Sequence, residues 1–185
     1  HRSLISKAAR VCQGRYVQVA FGGLSGDESL ALVRGLLKSA TVPALLSEMI
    51  APLAGHPLSV EEAIRYLVET GRLWQSGENW RLTNAPPNVP FSQPTAYKDL
   101  LLGRLQAMEN ETLHVLQAAA VLGETLDRSV LGSIVPGPML SPRLTELVER
   151  GWLVAPSPEA PKLYRFKHTL TRETIYNTLL ASKRQ

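Results

Sequence analysis

Cysteine is all but missing from this 185-residue chain. Cys12 has no second thiol with which to form an internal disulfide, a CxxC redox pair or a zinc site, and its isolation fits a reducing, cytoplasmic setting. Long apolar runs are missing too. The longest candidate, Leu116 to Leu122, is short and alanine-rich, well below the roughly 18 to 20 residues that span a bilayer, so no membrane partner is expected. Aromatic residues make up only 6%, too few for the stacking platforms that hold single-stranded nucleic acid. Catalytic motifs are also wanting: there is no G-x-x-x-x-G-K-[ST] phosphate loop, no G-x-G-x-x-G after a strand, no H-E-x-x-H and no G-x-S-x-G. His1, His56, His114 and His168 have no metal-ligand spacing with cysteine or acids. The expectation is a segment with no catalysis and no metal of its own.

What is present can fold. Hydrophobic residues are 44% and charged residues 19%, enough for a buried core in one large or two small domains. Twenty Lys and Arg against sixteen Asp and Glu give a net charge of +4, and the pI is near 9.4. Acids are absent before Asp27, so Arg2, Lys7, Arg10 and Arg15 supply much of the excess. A later basic group, Lys162, Arg165, Lys167, Arg172, Lys183 and Arg184, could attract an anion or a phosphate backbone, although an ordinary solvated surface is the favoured reading.

Periodicity predicts a mainly α fold with a minor β component. Residues 1–14 read as a helix end and Arg15 to Phe21 alternate as a strand, and since a lone strand is unstable the chain is expected to begin inside a larger domain. No signal peptide fits the opening. Ser25 and Glu28 have the spacing of a capping box, followed by an apolar face of Leu32, Val33, Leu36 and Leu37. A helix over Pro43 to Ala54, shortened by Pro52, should turn Leu45, Leu46, Met49 and Ile50 inward. Ser59 and Glu62 suggest a second capping box, with Glu61 exposed, opening a helix that Gly71 closes. Residues 73–82 read as a hairpin carrying Trp74 and Trp80.

Residues 84–94 hold four prolines in eleven positions and read as a linker. Helices follow at Thr95 to Ala107, Asn110 to Leu122, Asp127 to Ile134 and Ser141 to Arg150, the last with Ser-Pro at its cap and first turn. Trp152 to Val154 and Leu163 to His168 form a second hairpin before a final helix from Leu170 to Ser182. Three helices, a two-stranded wing and one more helix describe a winged-helix domain.

The run Gly55-His56-Pro57-Leu58-Ser59-Val60-Glu61-Glu62, with Leu67 to Leu73 after it, is similar to the lid region of STAND-type AAA ATPases, as in bacterial signalling regulators and cyclase-associated ATPases. Leu101-Leu102-Gly103-Arg104-Leu105, Leu116 to Gly123 and Tyr164 to Tyr176 resemble later blocks of that family, in the same order over roughly residues 16 to 182. The resemblance implies residues 1–23 as the end of a truncated nucleotide-binding core, 24–83 as a helical lid, 84–94 as the linker and 95–185 as a winged helix. It implies ATP or ADP as cofactor of a longer parent, an ATPase, and the parent's own upstream core as partner, with other domains or protomers as further candidates. Gly55 and Pro57 then match the Gly-x-Pro that lies against the nucleotide base, with His56 in place of the commoner asparagine. His168 matches the histidine of the Met-His-Asp motif that contacts the diphosphate of ADP.

Each of these residues has a plainer reading. Gly55 and Pro57 suit a simple turn before a helix. His168, which follows Tyr164 and Phe166 on one strand face, suits a core or capping residue. Three functions follow: a regulatory lid and winged helix of a nucleotide-dependent signalling switch, a DNA-binding transcription-regulator module, or a ligand-free protein-interaction scaffold. The DNA reading would use Ser141 to Arg150 as recognition helix and Lys162, Arg165 and Lys167 on the wing. That helix presents Arg143, Glu146, Glu149 and Arg150 in mixed sign, which disfavours groove binding.

Overall fold

The computed structural model describes residues 22–53, 55–83 and 96–182. The expected helix end at 1–14, the strand at 15–21 and the whole proline-rich segment at 84–94 lie outside them. The described residues are mainly helical, with two small antiparallel sheets.

Helix α1 (Gly26–Leu37) starts as its sequence dictates. The Glu28 amide donates to Ser25 Oγ (3.2 Å) and the Ser25 amide to Glu28 Oε2 (2.7 Å), satisfying two amides that a helix start leaves free. Helix α2 (Ala44–Ile50) gives way to a 3₁₀ turn at Ala51–Leu53, where Pro52 cannot extend the α pattern. Leu46, Ile50 and Leu53 are buried there, but Leu45 is exposed rather than inward.

Helix α3 (Pro57–Glu69) departs from expectation. It begins at Pro57, whose fixed φ suits a first helical position, and its cap residue His56 makes no side-chain bond. Ser59 therefore falls inside the first turn and forms no capping box with Glu62. Glu62 is instead buried, drawn inward by Arg104. Strands β1 (Leu73–Ser76) and β2 (Asn79–Leu82) pair antiparallel around Gly77, and Trp80 Nε1 donates to the Leu37 carbonyl (3.1 Å), fixing the hairpin to the end of α1.

Helix α4 (Ala96–Gln106) belongs to two cores. Its Ala96 and Leu100 join Val33, Leu46, Val60 and Leu67 in the first, while Leu101 and Leu105 join Leu116, Leu144, Trp152 and Phe166 in the second. Helix α5 (Asn110–Leu122) ends at Gly123, and strand β3 (Thr125–Asp127) follows. This strand is not legible in the sequence. Asp127 then caps α6 (Arg128–Ile134) by accepting from the Ser129 amide (2.6 Å).

Helix α7 (Leu140–Glu149) starts before the expected Ser141, so Ser141 and Pro142 lie within its first turn and Met139 stands at the cap without a side-chain bond. Strands β4 (Leu153–Val154) and β5 (Leu163–Phe166) complete a three-stranded sheet of order β3-β5-β4, and α8 (Thr169–Ser182) ends the described chain.

Candidate functional site

Gly55 occupies the left-handed region at φ 96°, which an L side chain rarely adopts. It also meets another backbone: a Cβ on Gly23 would fall 2.7 Å from the Gly55 Cα and carbonyl oxygen. Positive φ thus explains glycine at 55, and the close approach explains glycine at 23, without any ligand. Pro57 follows at the exposed start of α3.

One turn further along α3, Glu61 gathers cations. Arg65 donates to its Oε1 from Nε (3.2 Å) and Nη2 (2.9 Å), Lys167 Nζ donates to the same oxygen, and His168 Nε2 lies 3.8 Å from Oε2. Glu61 is 14% exposed, not solvated as expected. Burial works to raise its pKa, yet Lys167 and Arg65 outweigh that and hold the carboxyl below its ordinary range. Four residues of α-helix rise about 6 Å, so His168, beside Glu61, stands against α3 about one turn from the Pro57 that opens it.

His168 ends the turn after β5 and serves as the cap of α8 through its carbonyl, which accepts from the Thr171 (3.1 Å) and Arg172 (3.3 Å) amides. Its ring is a different matter. Nε2 is buried and has no hydrogen-bond partner. The adjoining helix is held by Tyr97, whose hydroxyl pairs with Thr171 Oγ1 (2.9 Å) and whose pKa burial pushes up to about 12.

Beside this cluster Arg104 joins the two cores. Its fully buried guanidinium bonds Glu62, pairs with Glu69 (2.7 and 3.1 Å), donates to the Arg150 carbonyl (2.9 Å) and stacks 4.0 Å over Trp152. Burial opposes its charge, but Glu69 and Glu62 more than compensate and raise its pKa. Arg65 also donates to the Arg150 carbonyl (3.0 Å), and Arg150 pairs with Glu69 (3.1 Å) and Glu146 (3.0 Å). Sequence reasoning assigned none of these roles. The available signal was Arg104 itself, a lone cation among Leu100, Leu101 and Leu105 on a helix.

Three of the cations that groove binding would use are engaged. Arg143 pairs with Glu109 (2.8 Å), Glu111 (2.8 Å) and Glu146 (3.2 Å), Arg150 is tied as above, and Lys167 bonds Glu61. Lys162 and Arg165 are exposed. Among the described residues no group of three or more His, Cys, Asp or Glu could hold a metal, and no helix is long and apolar enough to cross a membrane. A guanidinium and an ammonium thus meet one oxygen of the Glu61 carboxylate, and an orphaned imidazole nitrogen lies near the other, a donor set that suits negative charge.

No protein-family profile matches the chain. An uncharacterized protein of Rhizobium meliloti (strain 1021) is 27% identical to it over 175 residues, which are 91% of this chain and 16% of that protein. The chain thus spans about a sixth of the length of this relative.

Proposed function

We propose that the chain is the regulatory lid and winged-helix portion of a nucleotide-dependent signalling switch of the STAND type, acting in the cytoplasm and performing no chemistry itself. In this reading α1, α2, α3 and the first hairpin form the lid, and residues 96–182 form the winged helix, with β4 and β5 as its wing. A preceding core of the parent protein binds ATP or ADP. Gly55 and Pro57 border the base, and His168 offers a hydrogen bond to the diphosphate beside the amides at the start of α8.

One observation carries the proposal: His168 stands beside Glu61, one turn along α3 from Pro57, so that residues 111 positions apart in sequence are associated with the N-terminal part of one helix. A nucleotide is long enough to touch both. The similarity to part of a far longer protein agrees with a segment that works within a larger chain. The DNA-binding alternative gains no support from α7, whose arginines are spent on carboxylates.

The test is calorimetric. A polypeptide joining this chain to its nucleotide-binding core should bind ADP more tightly than the core alone, by about tenfold if one or two charge-assisted bonds are added. Equal affinity would remove the lid role, and salt-dependent binding of this chain to duplex DNA would favour the alternative.

A further inference from the structure

We infer that Glu61 is a built-in competitor for the anion site in which it lies, so that a bound phosphate group and the contact between α3 and the β5–α8 turn exclude one another. The inference rests on the proposed switch for the identity of the natural ligand, but its geometry stands independently. Lys167 and His168 come from the β5–α8 turn, Arg65 from α3 itself, and the Glu61 carboxylate fills the space among them. This is the arrangement in which a phosphate oxygen would be held, with the protein supplying the negative charge.

The substitution is incomplete. At 3.8 Å the imidazole is too far from Glu61 to form a hydrogen bond, and Nε2 is left buried without a partner. A tetrahedral anion carries more oxygens than a carboxylate and can serve Lys167, Arg65 and His168 together. The other nearby acids, Glu62 and Glu69, are already neutralised by Arg104 and Arg150. Glu61 is therefore the acid an arriving phosphate must displace, because two anions sharing one small site repel strongly. Displacement frees Lys167 from α3 and uncouples the turn that opens α8. By reciprocity, whatever separates α3 from that turn raises affinity for the anion.

Inorganic pyrophosphate is the probe, titrated calorimetrically into this chain. Glu61→Gln should bind it about tenfold more tightly than the unaltered protein, the size expected when one competing charge is removed. Adding Lys167→Met to that variant should return affinity to the original. A Glu61→Gln affinity within about twofold of the original would overturn the inference, as would a gain that survives Lys167→Met, since the anion would then sit elsewhere. Should circular dichroism show that Glu61→Gln does not fold, Glu61→Asp gives the reading: its shorter carboxylate withdraws from Lys167, an intermediate gain is expected, and no gain overturns. Failure here leaves the switch standing if ADP affinity of the joined polypeptide still depends on His168. Success here with ADP indifferent to His168 removes the switch and keeps the competitor.

Discussion

Arg104 shows how one side chain can couple two cores. A guanidinium with no exposed surface is tolerable only because two carboxylates, a carbonyl and the Trp152 face receive it. Arg104→Met would leave Glu62 buried without its cation, and the expected loss is about 3 to 5 kcal/mol in urea unfolding. A loss under about 1 kcal/mol would mean that the guanidinium is not the partner on which Glu62 depends. Glu61 makes a pH-dependent prediction. Its folded pKa lies below the ordinary 4.5, so it binds fewer protons folded than unfolded; its contribution is complete above about 4.5 and fades as pH falls below. Glu61→Gln should thus cost about 1 kcal/mol at pH 7, and the difference should shrink progressively as pH is lowered from 4.5. Lys167, Arg65 and His168 face this carboxylate, and a difference unchanged between those pH values would place its effect outside the ion pairs.

At the scale of elements, the α3–α4 contact depends on the absence of a side chain. A Cβ on Gly103 would lie 2.6 Å from the Tyr66 ring. Gly103→Ala should therefore cost about 1 to 3 kcal/mol through overpacking, despite alanine's better helix propensity, and Tyr66→Leu in the same chain should recover part of it. A stabilised Gly103→Ala would refute the close packing. Elements specified by neighbouring residues were legible in the sequence. Ser25 and Glu28 satisfy each other within one turn, and Gly71 and Gly151 close helices through their own positive φ. Ser59 and Glu62 have the same spacing but a different fate, because Pro57 starts the helix early and Arg104, 42 positions away, claims the acid. Strand β3 was invisible for a related reason: three residues are too few for a period, and only pairing with β5 defines them. Gly55, Pro57 and His168 are proposed by resemblance, whereas the ionic role of Glu61 is hidden because it depends on a contact 106 positions away in sequence.

Across the whole molecule, the two cores share α4 and meet through ionic and hydrogen-bonded contacts: Arg104 with Glu62 and Glu69, Arg150 with Glu69, and Lys167 with Glu61. The sharing of α4 predicts one cooperative transition. Trp80 and Trp152 fluorescence, read in single-tryptophan variants, should report the same urea midpoint, and midpoints separated by more than about 0.5 M would show independent units. The polar contacts around Glu61 are suited to rearrangement, since they can exchange partners without exposing apolar core, and this is the property that the proposed nucleotide-controlled cover would require. The proposed switch is tested most directly by the ADP affinity of this chain joined to the proposed upstream nucleotide-binding core, with and without His168→Ala. Loss of one charge-assisted bond at the diphosphate predicts binding weakened about tenfold or more. An affinity unchanged by the substitution, in a variant that remains folded, would contradict the account.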